Sequence, residues 1–221
     1  MNHYNSNLIF LLDQRNLTLT EFENVIYIPK VRIADPTPAE MIRISDFFNI
    51  PIDVLIRKDL KIHEKVKALD IKLIILDIDG TMTDGGMYFA ESGDQLKKYN
   101  TKDGLAIISL VRKGMLFGII SHGRKERMIK DRAQLLEIDR IYVGTDPKLD
   151  ILKQWCTELN IDLQNVAYIG DDLNDLAIFN AIGLSACPND AVTEVKKTVD
   201  IILTKGGGMG CVREFLDEWI S

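Results

Sequence analysis

The stretch LIILDIDGTMTDGG, residues 73–86, runs four apolar residues into Asp77, skips one position to Asp79 and follows at once with Gly80 and Thr81. A short apolar run that ends in turn residues reads as a buried strand. Two carboxylates at that spacing repel each other and raise each other's pKa unless a cation or a proton neutralises them. A strand that delivers paired acids into a glycine turn therefore implies a bound ion.

Downstream the pattern alternates. DGLAIISLVRKG reads as a helix stopped by Gly114, MLFGII as a second strand, GRKERMIKDRAQLLEI as an amphipathic helix and RIYVG as a third strand. DPKLDILKQWCTELNI is expected to be a helix with Asp146 as its cap and Pro147 at its first position. NVAYIG makes a fourth strand, LNDLAIFNAIG a helix, LSACP and VDIIL short strands, and MGCVREFLDEWI the closing helix. The fold class is therefore α/β: a Rossmann-like parallel sheet with helices on both faces, its ligand beyond the carboxyl ends of the strands. Residues 82–100, MTDGGMYFAESGDQLKKYN, interrupt the alternation with a glycine pair and an SGD turn. They predict a β-hairpin flap above the sheet, too short to be a cap domain.

Upstream, residues 1–60 read as a small all-α domain, with helices at SNLIFLLDQRN, TLTEFENVI, TPAEMIRISDFFN and PIDVLIRKD. KIHEKVKALD, residues 61–70, is polar and lysine-rich, a linker or connecting helix ahead of the α/β domain at 71–221. In order, and in the wording of its last two helices, the first segment resembles the repressor-type helix-turn-helix family. Where that family carries its recognition helix this chain has ENVIYIPKVRIAD, in which Pro29 breaks any helix and VRIA is expected to be extended. Residues 1–70 hold nine Lys+Arg against ten Asp+Glu, so no basic face meets phosphates. A degenerate module for packing or oligomerisation is expected, with no nucleic-acid partner.

The 221 residues carry a net charge of -6, with 46% hydrophobic and 27% charged residues, the profile of an ordinary globular protein. No stretch approaches a membrane span, and the start MNHYNSNLIFLLDQRN has Asp13 and no basic n-region, so neither anchor nor signal peptide is expected and the location is expected to be cytoplasmic. Cys156, Cys187 and Cys211 show no C-x-x-C pairing and read as buried small hydrophobes.

Several polar residues fall at one edge of the expected sheet. Asp77 and Asp79 follow the first strand, Ser121 the second, Lys148 opens the helix after the third, and Gly170, Asp171, Asp172 and Asp175 follow the fourth. Any one Asp could be a turn former or helix cap; four strand ends agreeing is a different matter. Hard carboxylate oxygens suit Mg²⁺, which resolves the repulsion. With the cation bound, Asp77 can attack phosphorus to give an aspartyl-phosphate, and Asp79 can give a proton to the leaving alkoxide and take one from water. Ser121 and Lys148 would hold the phosphoryl oxygens.

DIDGT, the hydroxyl after the second strand, the later lysine and GDDLND are similar to the four motifs of haloacid dehalogenase-like phosphatases, in that order, over residues 71–221. The hairpin with DGGMYF, the segment YNTKDGLAI, GRK and the tail GGGMGCVREF resemble the capless branch acting on 3-deoxy-D-manno-octulosonate 8-phosphate and related nine-carbon sugar-acid phosphates. The resemblance implies a homotetramer in which one subunit's hairpin helps to close its neighbour's site. It implies Asp77 as nucleophile, Asp79 as general acid/base and carbonyl ligand, Asp171 as metal carboxylate, and Asp172 and Asp175 orienting the metal's surroundings. Arg124 and Lys125 would contact the sugar-acid carboxylate, one by a planar fork and the other as a point cation.

One departure is His122, which stands between Ser121 and the Gly-Arg pair where the family pattern has no residue. Either Ser121 keeps the phosphate contact and His122 is inserted, the preferred reading, or the register shifts and His122 faces the site. Arg213 pairs with a carboxylate or meets ligand, and glycines 206–208 and 210 read as a flexible segment. The expected function is a Mg²⁺-dependent sugar-acid phosphatase, supplying a surface-polysaccharide sugar. The alternatives are an N-acylneuraminate or deaminated sugar 9-phosphate phosphatase, a non-catalytic tetramerisation module, and last a DNA-binding regulator.

Overall fold

Tyr4, Leu8, Leu11 and Leu12 recur at the three-and-four spacing of a buried helical stripe, and all four are buried on α1 (Tyr4–Gln14). The structure, a computed structural model, describes residues 2–89, 91, 95–123 and 125–220. It forms two compact units, Met1–Ala68 and Leu69–Ser221.

In the first unit α2 (Leu19–Ile26) opens on a capping box. The Glu21 amide donates to Thr18 Oγ1 at 3.2 Å, and the Thr18 amide donates to the Glu21 carboxylate at 2.8 Å. A single helical turn follows, α3 (Lys30–Ile33), and then α4 (Pro38–Phe48) repeats the box with Thr37 and Glu40. α5 (Ile52–Arg57) and α6 (Leu60–Ala68) complete the unit. The VRIA segment, expected to be extended, is helical instead. Proline costs nothing in a first turn, so Pro29 starts α3 rather than breaking it. Ile33 is then buried and its carbonyl accepts the Tyr4 hydroxyl at 2.7 Å. KIHEKVKALD is mostly α6.

The second unit begins with β1 (Leu73–Leu76), every residue of which is buried. Next comes the hairpin of β2 (Tyr88–Phe89) and β3 (Gln95–Leu96), paired antiparallel, with Met87, Tyr88, Phe89 and Leu96 exposed. α7 (Thr101–Val111), β4 (Leu116–His122), α8 (Arg127–Leu135), β5 (Arg140–Gly144), α9 (Lys148–Leu159) and β6 (Val166–Ile169) alternate strictly. They are followed by α10 (Leu176–Phe179), β7 (Leu184–Cys187), α11 (Thr193–Thr198), β8 (Ile201–Ile202) and α12 (Cys211–Phe215). Among the described residues the strands form a six-stranded parallel sheet ordered β5-β4-β1-β6-β7-β8 and a separate two-stranded hairpin. β1, β6 and β7 are buried at every residue, which requires cover on both faces.

The chain leaves β1 toward one edge through β4 and β5, then returns to the other side of β1 with β6. The order therefore reverses between β1 and β6, where a crevice opens beyond the strand ends. All three cysteines are buried and free. No helix among the described residues is long and apolar enough to cross a membrane. Asp146 does not cap α9; its carboxylate accepts the Tyr142 hydroxyl at 2.8 Å.

Asn7, buried on α1, ties the first unit together: its amide donates to the carbonyls of Leu55 (2.8 Å) and Lys58 (2.6 Å) and accepts the Leu60 amide (3.0 Å). Asn7→Ala leaves those backbone groups unmet, at a cost of about 2–3 kcal/mol. Urea unfolding of the full chain followed by far-UV circular dichroism should show an earlier helical transition. Coincident curves for variant and wild type would remove this role.

Candidate active site

β1 ends in a wide turn, Ile78–Met82, that the Thr83 amide closes onto the Ile78 carbonyl at 2.9 Å. Gly80 sits at φ 83 in that turn, and a Cβ there would overlap the Asp171 carboxylate, so both backbone shape and space require glycine. The turn leaves Asp77 buried at the crevice, its amide bonded to the Ile169 carbonyl at 3.0 Å. β6 delivers Asp171 beside it, and the 3-10 turn Leu173–Asp175 brings up Asp175.

Asp77, Asp171 and Asp175 each present a carboxylate oxygen within 4.8 Å of the others. They are not equivalent. Asp175 Oδ1 accepts the Tyr168 hydroxyl and the Lys148 ammonium, both at 2.6 Å, while Oδ2 accepts the amides of Asp171 (3.0 Å) and Asp172 (3.2 Å). Four donors saturate that carboxylate, so its work is to hold the others in place. Asp77 and Asp171 are the two oxygen donors left to grip a cation, and Asp171 Oδ1 takes only a long bond, 3.4 Å, from the Thr81 hydroxyl. Lys148 opens α9 and reaches Asp77 Oδ1 at 3.0 Å with almost no exposure.

Of the other residues singled out from sequence, Asp79 lies apart from the carboxylate cluster, and its side chain pairs with Lys97. Asp172 is exposed and caps the Leu173 amide at 2.7 Å. Ser121 is buried at the end of β4, one residue beyond the position level with Asp77. His122 continues the strand opposite Gly144 and is exposed. It lengthens β4 by one residue, and Ser121 stays buried. Arg124 lies outside the described residues; Lys125 is exposed ahead of α8. Arg213 pairs with Asp217 one helical turn on, at 2.5 Å. The glycine tail, expected to be flexible, is packed: the Gly208 amide donates to the Thr81 carbonyl at 2.9 Å and Gly207 lies against the Gly80 carbonyl.

Lys97 and Tyr168 were not anticipated. Lys97 sits in a hairpin arm whose register no local pattern fixes, and Tyr168 reads as one more core aromatic in a buried strand.

A family model described as haloacid dehalogenase-like hydrolase matches residues 145–210. The 3-deoxy-D-manno-octulosonate 8-phosphate phosphatase of Salmonella typhi is 37% identical over 155 residues, 70% of this chain and 82% of that protein. This chain belongs to that phosphatase family. The Moraxella catarrhalis phosphatase, solved in complex with a magnesium ion, a phosphate ion and a KDO molecule, superposes with a TM-score of 0.67 at 36% identity, over 71% of this chain and 88% of that one. The cobalt-bound Haemophilus influenzae phosphatase gives 0.65 at 33% identity, over 69% and 88%.

Electrostatics in this phosphatase favour a cation. Burial pushes Asp77 up to about 7 despite the pull of Lys148, with the charge of Asp175 adding to the rise. Burial and the charges of Asp77, Asp175 and Asp172 push Asp171 up to about 8. Burial opposes the charge on Lys148, but Asp77 and Asp175 outweigh it and keep the ammonium above its ordinary pKa.

Between the ordinary carboxylate range and about 8, the folded metal-free phosphatase thus holds more protons at Asp77 and Asp171 than the unfolded chain does. The contribution of these groups to stability falls as pH rises through that window. Thermal melts in chelator should show Tm dropping from pH 5 to pH 8, with Mg²⁺ restoring more of it at pH 8. Asp171→Asn should flatten the chelator slope; an unchanged slope would sink this account.

Proposed function

We propose that this chain is a magnesium-dependent phosphatase that hydrolyses 3-deoxy-D-manno-octulosonate 8-phosphate through an aspartyl-phosphate on Asp77. The observation that carries the reading is the buried Asp77 carboxylate with one oxygen fixed by Lys148 at 3.0 Å and Asp171 alongside. Relatives 37% identical that bear the name of this activity support the substrate. A hard divalent ion suits the oxygen donors, and Asp77 and Asp171 would hold it with the backbone carbonyl of Asp79. Bound there, it would offset the crowding of negative charge at the phosphoryl group.

The chain's own residues then divide the work. The Asp77 carboxylate attacks phosphorus and the P–O bond to the sugar breaks, with Asp79 giving its proton to the departing oxygen. Water next attacks phosphorus, Asp79 takes its proton, and the bond to Asp77 breaks. Lys148 and Ser121 bind phosphoryl oxygens as charge moves onto them. Asp175 positions Lys148 and the backbone of Asp171 and Asp172. Arg124 and Lys125 receive the sugar-acid carboxylate. Phosphate release from a panel of sugar phosphates with Mg²⁺ should favour the octulosonate ester over generic esters, and Asp77→Asn should lower kcat by at least about a thousandfold. Equal turnover of all esters would remove the substrate, and an active Asp77→Asn would remove the nucleophile.

The active form is a homotetramer that seats the hairpin of one copy on its neighbour. Met87, Tyr88, Phe89 and Leu96, all exposed on that hairpin, support this. Sedimentation should show Phe89→Asp shifting the protein to smaller species; an unchanged mass would move the interface elsewhere. The first unit serves packing or assembly and does not read DNA, because α3 is one turn of four residues and the charge around it is balanced.

A further inference from the structure

Lys148 has three N–H groups, and among the described residues three acceptors meet them: Asp77 Oδ1 at 3.0 Å, Asp175 Oδ1 at 2.6 Å and the Tyr168 hydroxyl at 3.2 Å. Two of the three also bind each other, because the Tyr168 hydroxyl donates to Asp175 Oδ1 at 2.6 Å. Tyr168, Asp175 and Lys148 therefore close a small ring beneath Asp77, and all three side chains are buried. The tyrosine ring is itself clamped, edge to face, against Phe179 with centroids 5.4 Å apart. A flexible lysine stem seated by Asp175 alone could still swing toward or away from Asp77; a second seat at the same ammonium removes that freedom.

We propose that Tyr168 is a positioning residue for the phosphatase reaction: its hydroxyl, fixed by Asp175, forms the second seat that aims the Lys148 ammonium at Asp77. The proposal rests on the function assigned to this site above. Chemistry distinguishes this seat from ordinary core packing. Tyrosine in a fully buried strand needs a partner for its hydroxyl, and phenylalanine would fill the same space without that need. Here the hydroxyl is both donor and acceptor, and its two bonds run to Asp175 and to Lys148, the group that holds Asp77. The hydroxyl is also the one acceptor of the three that is not a carboxylate, and its bond is the longest. It is therefore the contact Lys148 gives up most readily when a phosphoryl oxygen arrives. Tyr168 holds the ammonium in place before substrate binds and releases one N–H to it afterwards.

The test uses the full chain with Mg²⁺ and octulosonate 8-phosphate, comparing wild type, Tyr168→Phe and Tyr168→Leu. Tyr168→Phe keeps the ring and should lower kcat about tenfold, the rate equivalent of one charge-assisted hydrogen bond, with KM and Mg²⁺ affinity within about twofold of wild type. Tyr168→Leu removes ring and hydroxyl together; it should lose clearly more Tm than Tyr168→Phe yet show a similar kcat. A kcat for Tyr168→Phe within about twofold of wild type overturns the proposal. So does a loss shared equally by KM, Mg²⁺ affinity and Tm, which is the mark of a merely structural role. A second readout needs no turnover: the ¹⁵N resonance of the Lys148 ammonium in lysine-labelled protein should shift and exchange faster with water in Tyr168→Phe. If wild type cleaves no phosphate ester, the assigned function falls, and this resonance alone decides the seat; an unmoved signal overturns it.

Discussion

Mutual repulsion among acids at the end of a central strand is the constraint on which this molecule depends. Asp77, Asp171 and Asp175 crowd one crevice, and burial alone would favour the neutral forms of Asp77 and Asp171. The fold answers with unequal treatment of the three. Asp175 receives four donors and becomes scaffolding, while Asp77 and Asp171 keep oxygens for a cation. Among the described residues Lys148 supplies the buried positive charge of the cluster, and the parallel sheet makes the assembly possible by ending every strand at the same edge. An ion pair this deep is weak support for stability as such. Its value here is in keeping the Asp77 carboxylate ionisable despite its burial.

The fold was readable because α/β alternation writes itself in local pattern. Apolar runs such as LIIL and VAYI became fully buried strands, and proline marked the starts of α4, α5 and α9. The elements that misled are those settled by distant contacts. VRIA has the β-branched look of a strand, yet it turns into α3 because Ile33 finds the core and its carbonyl finds Tyr4. Asp146 and Pro147 have the spelling of a helix start, but the Tyr142 hydroxyl takes the aspartate instead.

At the site the legible part was the set of residues that follow strand ends, since their position in sequence is their position at the edge of a parallel sheet. What stayed hidden were partners that arrive from elsewhere. Lys97 meets Asp79 only because the hairpin folds back, and no local spacing pattern joins residues 18 positions apart. Tyr168 lies in the strand itself, where its hydroxyl is invisible to any pattern of apolar residues. The different fates of Asp175 and Asp171 came from counting hydrogen-bond donors, a quantity the GDDLND run does not contain.

The glycine tail carries a consequence for how the molecule comes into being. The Thr81 carbonyl is reached by the Gly208 amide and by the Cys211 thiol, and the latter contact joins residues 130 positions apart. The acid-bearing loop is thus walled by a segment that lies far downstream of it in sequence. Synthesis has to pass Cys211 before that wall can close, so the loop gains its final packing long after the strand that bears it has left the ribosome.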